Sequence, residues 1–475
     1  MRLKENQNVV SSLTALVLAA GQGTRMKSRL PKVLHSVAGR PLLYYPIQAA
    51  FDAGAEHAVI VSSGRPEIAT ELLRYFPQER FSIAVQEVAR GTGDAARIGL
   101  ERVKTDRVLI VYGDTPLVRS SDLASLVAAL DGAERPVVSL LTCELDNPHG
   151  YGRILRDAAG RVLGVREQKD LKTDAERSVR EVNAGMYAAE TAALRDAVQR
   201  IVPNNAQGEY YLTDIVEIVG GARSRPVNGH PEALVGVNDR SQLHAAELVM
   251  FQRIRERHAR AGVTLRGDVY IDEGVEIGED AVLEVGVRLR GKTRIGRGAF
   301  IDVGSVVDDV TVGDEVVIKP YSVLTKSEVG RAAQIGPFSH LRPESEIGEE
   351  AHIGNFVETK KTRVQRGAKA NHLSYLGDAD VGAGANIGAG TIFCNYDGFQ
   401  KHRTVIGEGA FIGRDSQLVA PVNIGKGAYV GTGTTVTKDV PEDALAIGRT
   451  RQENKAGYAT RLRNRLKAAR EANKK

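Results

Sequence analysis

The chain has 475 residues, 42% of them apolar and 26% charged, which allows two or three domains with full cores and is ordinary for a globular protein in water. Its net charge of +5 is concentrated: residues 451–475 hold nine Lys or Arg and two Glu, a net of +7, which leaves the rest at about −2. A near-neutral body gives no case for a nucleic-acid-binding domain, no apolar run reaches the ~18 residues of a membrane span, and two distant cysteines, Cys143 and Cys394, suggest a reducing compartment, the cytoplasm by default.

The run Leu13 to Ala20 reads as a buried parallel strand that feeds a glycine turn, Gly21-Gln-Gly-Thr-Arg-Met26. Neither common phosphate fingerprint fits. Met26 stands where a dinucleotide loop needs its third glycine, and where a Walker loop needs its second. The backbone amides of Gly21 to Thr24 can still face phosphate oxygens with no side chain in the way. Further apolar runs follow at Ala58–Val61 and Val108–Val111, with helical patterns between them such as Ser121 to Leu130. Alternating strands and helices predict a mostly parallel α/β sheet with a ligand across the carboxyl ends of its strands. Tyr112-Gly113-Asp114 puts a carboxylate at one such end, where an N-cap or turn role is the competing reading. From Asp239 to Ala261, Leu243, Ala246, Val249, Met250 and Ile254 recur at helical spacing behind a cap at Asn238 or Asp239. This predicts a helical arm.

Residues 263–450 carry 28 of the 50 glycines. Aliphatic residues recur there at every sixth position from Ile271 to Val307. The phase slips by one at Val312 and again at Val329, and a last run spans Ile406 to Val436. A period of six is neither helix nor simple alternation. It implies short strands joined by tight corners, three faces to a coil, and coils stacked over an aliphatic column. After Asn386-Ile-Gly-Ala-Gly-Thr-Ile-Phe-Cys-Asn-Tyr-Asp-Gly398 the period breaks until about Thr404. A loop that leaves a solenoid marks a binding face.

The stretch Leu18-Ala-Ala-Gly-Gln-Gly-Thr-Arg-Met26, followed by Leu30-Pro-Lys-Val-Leu-His35, resembles the signature of sugar-phosphate nucleotidylyltransferases. The six-residue region resembles the hexapeptide-repeat, left-handed parallel β-helix, whose members usually form trimers. Over both halves in order, from about Leu16 to Arg449, the chain is similar to the bacterial bifunctional N-acetylglucosamine-1-phosphate uridyltransferases/glucosamine-1-phosphate N-acetyltransferases. The implied architecture is an α/β, Rossmann-like nucleotidylyltransferase domain at 10–238 and a helical linker at 239–262. A left-handed β-helix acetyltransferase domain follows at 263–450, and a basic tail at 451–475.

That resemblance implies site residues. Leu18, Ala19, Ala20 and Gly21 would line the nucleotide, and Arg25 and Lys32 would neutralise charge at the α-phosphorus and the departing pyrophosphate. Gln86, Gly91 and Thr92 would read uracil, with Tyr112 and Gly113 beside them. Asp114 and Asn238 would hold Mg2+, which suits hard oxygen ligands. Gly152, Glu167 and Asn183 would take the sugar. Gln22 departs from relatives that carry Lys there, which weakens one phosphate contact. In the second domain, His372 would be the general base, since a free imidazole titrates near neutral pH. Arg342, Lys360 and Lys401 would bind the sugar phosphate, and Tyr375 and Asn386 the sugar, with Glu358 and Asn395 orienting the amine or His372. Ala389, Asn395, Tyr396, Arg414, Thr432 and Arg449 would face acetyl-CoA, Arg414 standing where the family pattern has Ser.

The expected function is therefore two reactions of UDP-N-acetylglucosamine synthesis, which feeds peptidoglycan and lipopolysaccharide precursors. Acetyl-CoA and UTP are the co-substrates, and the partner expected is two further copies of the chain. Two other readings compete: a single-activity nucleotidylyltransferase whose coils only oligomerise, and a non-catalytic scaffold.

Overall fold

The computed structural model describes residues 12–473. The expected domain start at residue 10 and the last two residues of the tail lie outside them. The chain forms two compact units. The first runs to Glu256 and takes in 271–273. The second holds 257–270 and everything from Gly274 onward.

The first unit is built on a nine-stranded sheet. Its main path runs Ser224–Asn228, Val138–Glu144, Glu181–Glu190, Arg107–Tyr112, Leu13–Leu18, His57–Ser62, Phe81–Val85. All neighbours on that path are parallel except Glu181–Glu190, which runs antiparallel to both of its neighbours. Leu13–Leu18 is buried at every position. Ala15 and Val17 pack into one apolar cluster and Leu16 and Leu18 into another, one on each face of the sheet. That two-sided burial is why the strand reads as a continuous apolar run. The chain leaves this strand toward His57–Ser62 on one side and later returns to Arg107–Tyr112 on the other. The strand order therefore reverses between Leu18 and Tyr112, which pair in register, and a crevice opens at such a point.

The helical arm is Arg240–Arg260. Asp239 caps it by accepting from Gln242 N at 2.9 Å, and the Gln242 side chain accepts from Asn238 N at 2.8 Å.

The second unit is a parallel β-helix of hexapeptide repeats. Its core is a register column: Leu265, Leu283, Ile301, Ile318, Ile335, Ile353, Ala370, Ile387, Ile412, Val430 and Ala446 pair one coil to the next. Two slips of the six-residue phase are five-residue faces, which give seventeen-residue coils such as Ile301 to Ile318. The aliphatic residues of the repeat are buried except Ile277, which is half-buried. Small hydroxyl residues close the corners. Ser322, Thr391 and Ser416 each donate to the carbonyl three residues back, at 2.9, 2.7 and 2.8 Å. The tail forms an exposed helix, Tyr458–Ala472, that buries none of its residues.

Two candidate active sites

The glycine turn sits at the carboxyl end of Leu13–Leu18. Gly23 has φ +61°, and a Cβ there would stand 2.6 Å from Lys32 Cβ, so a glycine lets the turn lie against Lys32. Lys32 opens a short 3-10 turn, Lys32–Leu34. Its ammonium pairs with Asp114 at the end of Arg107–Tyr112 and donates to Asn238 Oδ1 at 3.3 Å. Val237 N donates to Asp114 O at 2.8 Å, which ties these two loops together. Three expected residues, far apart in sequence, thus meet at one point. Arg25 is exposed on the same turn and makes no ion pair among the described residues.

Beside this point lies a cavity of about 280 Å3 lined by Leu18, Ala19, Ala20, Gly21, Lys32, Gln86, Gly91, Thr92, Tyr112 and Asp114, with Glu209. Gly113 lies between two of its lining residues, Tyr112 and Asp114. Its N–H donates to Leu18 O at 2.9 Å, and a Cβ on it would meet Leu43 at 2.9 Å. Gln86 Nε2 donates to Asp94 Oδ2 at 2.8 Å. This commits the amide nitrogen and leaves the side-chain oxygen for a ligand.

A second cavity, about 530 Å3, adjoins the first and shares Thr92, Tyr112 and Glu209 with it. Gly152, Glu167 and Asn183 line it. Gly152 must be small here, because a Cβ would meet Val165 at 2.9 Å and Glu167 Oε1 at 3.2 Å. Asn183 is fixed at both ends of its amide: Nδ2 donates to Tyr187 Oη at 2.8 Å, and Oδ1 accepts from Gly185 N at 3.1 Å. Burial pushes the Glu167 carboxyl above the usual carboxylate range. Burial, then the Glu167 charge, raises the Tyr112 hydroxyl.

In the second unit the long strands His352–Val364 and Lys369–Val381 lie in register, with Asn355 opposite His372 and Glu358 opposite Tyr375. Arg342 Nη1 pairs with Glu358 at 2.7 Å, and Lys360 Nζ reaches Asp378 at 3.9 Å. The close approach of Lys401, then burial, then Arg342 hold the Lys360 ammonium below its usual range, against Asp378. Three cations therefore share one place with two carboxylates, Glu358 and Asp378, and the surplus positive charge suits a further anion. Asn395 Nδ2 contacts Asp378 and lies 3.5 Å from Tyr375 Oη.

His372 is exposed one residue before a corner at Leu373 (φ 40°), and its ring takes no hydrogen bond among the described residues. Asn386 pairs with Lys369 and Phe411 on another face. Among the described residues neither side chain makes a hydrogen bond or ion pair with Arg342, Lys360 or Lys401. Four of the six residues expected near acetyl-CoA, Ala389, Arg414, Thr432 and Arg449, form a file along one corner. Asp415 N donates to Ala389 O at 2.8 Å, Gly433 N to Arg414 O at 2.8 Å, and Arg449 Nη1 to Thr432 O at 2.5 Å. Tyr396 is exposed on the loop that leaves the coils, bridged to Lys401. Asp397 knots that loop by accepting from Phe399 N at 2.8 Å and Gln400 N at 2.7 Å and by pairing with His402 at 2.6 Å. The Gln400 amide, then His402, hold its carboxyl well below the usual range.

Sequence reading gave no role to Asp378, Glu209 or Tyr211. The part of Asp378 as the anion between Lys360 and Asn395 needs the stacking of coils. Glu209 and Tyr211 line the 530 Å3 cavity from a segment with no motif.

Comparison with known proteins decides the family. Residues 15–179 match the MobA-like NTP transferase domain, and residues 292–326 and 403–438 match the bacterial transferase hexapeptide repeat. The bifunctional protein GlmU of Sorangium cellulosum is 57% identical over 96% of this chain and 98% of its own. That of Anaeromyxobacter sp. (strain Fw109-5) is 51% identical over 94% and 93%, and that of Geobacter sulfurreducens 45% over 96% and 100%. The chain belongs to the bifunctional GlmU family. It is a two-activity transferase, with a uridylyltransferase in its first unit and an acetyltransferase in its second. The scaffold readings fall with that membership. Among the described residues no helix is long and apolar enough to cross a membrane.

Proposed function

We propose that the second unit acetylates glucosamine 1-phosphate with acetyl-CoA and that the first transfers UMP from UTP to the product, yielding UDP-N-acetylglucosamine and pyrophosphate. One observation carries the reading: each unit gathers its own phosphate-scale cation site, Lys32 beside the Gly21–Gly23 turn and Arg342, Lys360 and Lys401 in the coils.

In the first unit the sugar phosphate oxygen attacks the α-phosphorus in line, an O–P bond forms, and the bond to pyrophosphate breaks. No protein nucleophile is needed, so positioning and charge cancellation do most of the work. Arg25 and Lys32 supply cations. The free oxygen of Gln86 accepts the uracil N3–H, with Gly91 and Thr92 alongside. Asn183 and Glu167 bind sugar hydroxyls, and Gly152 leaves room for the acetamido group. Asp114 and Asn238 fit a divalent cation, because both side-chain oxygens already converge on one ammonium nitrogen. Magnesium bound there supplies charge neutralisation on the phosphates.

In the second unit Arg342, Lys360 and Lys401 hold the phosphate, and Tyr375 and Asn386 the sugar. His372 takes a proton from the sugar amine as its nitrogen attacks the thioester carbonyl. The C–N bond forms, the C–S bond breaks, and the thiolate leaves and is protonated. The file Ala389–Arg414–Thr432–Arg449 with Asn395 and Tyr396 binds the coenzyme. His372 is exposed and neither it nor Asn386 bonds to the cation cluster within one chain, which favours a site completed in a homotrimer. The setting is the cytoplasm, where the product feeds cell-wall precursor synthesis.

The test is free-thiol release from acetyl-CoA with glucosamine 1-phosphate and no UTP. Release should require the sugar, and His372→Ala should lower it at least about 100-fold. Wild-type protein that releases pyrophosphate from UTP but no thiol would refute the acetyl-transfer half.

A further inference from the structure

Lys32 raises a question that phosphate binding does not answer. Its ammonium already holds the two oxygens suited to a metal, Asp114 Oδ2 and Asn238 Oδ1. The side chains of Lys32 and Asp114 are only 10% and 21% exposed, so solvent screens this contact weakly. The rest of Lys32 is fixed. Its carbonyl accepts from His35 N at 3.2 Å, and the Gly23 turn lies against its Cβ. Only the end of the side chain is left to swing.

The charge count at this point is the decisive fact. Among the described residues no group of three or more His, Cys, Asp or Glu could hold a metal. The seat offers one carboxylate and one amide oxygen. With the ammonium in place its net charge is zero, and a dication entering beside Lys32 would meet a cation within a few ångströms.

We infer that Lys32 is an internal counter-cation that occupies the divalent-metal seat of the empty enzyme and gives it up only when a triphosphate arrives to take the ammonium. This rests on the uridylyl-transfer reading above. Metal and nucleotide then enter as a linked pair. The triphosphate draws Lys32 Nζ off Asp114, and the freed carboxylate and Asn238 oxygen meet the metal that the triphosphate also ligates. The free enzyme binds metal weakly because its own lysine competes.

Mn2+ binding by full-length protein without nucleotide, followed by the EPR signal of free Mn2+, tests this. Lys32→Met keeps most of the stem and removes the charge. It should bind Mn2+ about tenfold more tightly than wild type, and adding Asp114→Asn should abolish the gain. Wild type should gain comparably when a methylene-bridged UTP analogue is added. If Lys32→Met does not fold by thermal melting, Lys32→Gln takes its place. Equal or weaker binding by the variant, with wild type still responding to the analogue, overturns the inference alone. No Mn2+ binding by either protein even with the analogue overturns the metal reading of the site, and the inference with it.

Discussion

Gly23 shows how much can rest on one missing carbon. An alanine there would need a positive φ and would place its methyl 2.6 Å from Lys32 Cβ. Either the turn or Lys32 must move, and small displacements of a charge-cancelling group are expensive. Gly23→Ala should lower uridylyl transfer about 10- to 100-fold and leave acetyl transfer within about twofold, as read from pyrophosphate and thiol release on one preparation. Asp214 gives a pH-dependent case. Burial first, then Glu217 and Asp170, push its carboxyl up to about 6, against about 3.9 in an unfolded chain. A raised pKa favours folding below about pH 4 and loses that contribution as pH rises through about 6. Asp214→Asn should thus be neutral near pH 4 and stabilising above pH 6. The carboxylate is partly exposed and screened, so the gain is ~1 kcal/mol, about 2–4 °C in the melting of the first unit. Lys32, Asp114 and Asn238 were readable in the sequence because each sits in a motif. Asp378, Glu209 and Tyr211 were not, because their roles depend on which strands and coils lie side by side.

Among the elements, the coils were the most legible, since a six-residue period survives any detail of packing. The slips of phase were visible too, but only the register shows that they shorten a coil by one residue without shifting the column. The break after Gly398 was readable as a loop, while the Asp397 knot that shapes it was not, because it rests on backbone amides and on the close approach of His402. The column also fixes what a core change costs. Ile318 is fully buried between Ile301 and Ile335. Ile318→Ala should cost about 2–5 kcal/mol. Each coil contacts mainly its neighbours, so acetyl transfer should be lost at a lower temperature than in wild type while pyrophosphate release keeps its wild-type profile.

For the whole molecule, two units with separate cores place two chemistries on one chain, so each can be silenced alone. The coils carry exposed apolar side chains that one chain leaves uncovered. Tyr321, Phe338 and Phe356 stack at 5.5 and 5.4 Å along one corner and are 53%, 48% and 59% exposed. Such a ladder is more than scattered surface apolarity. It predicts self-association. Sedimentation equilibrium should give three times the 51.2 kDa chain mass, and a monomer at micromolar concentration would contradict the trimer.

The loop between Ile387 and Ile412 stretches one coil to twenty-five residues, yet those two residues still pair and the column continues through Val430. The solenoid therefore tolerates extra chain at that corner without losing count. A peptide tag spliced in beside the exposed Phe399 should therefore leave the spine on either side at its pitch, while the flanking Tyr396 and Lys401 make acetyl transfer the activity that registers it.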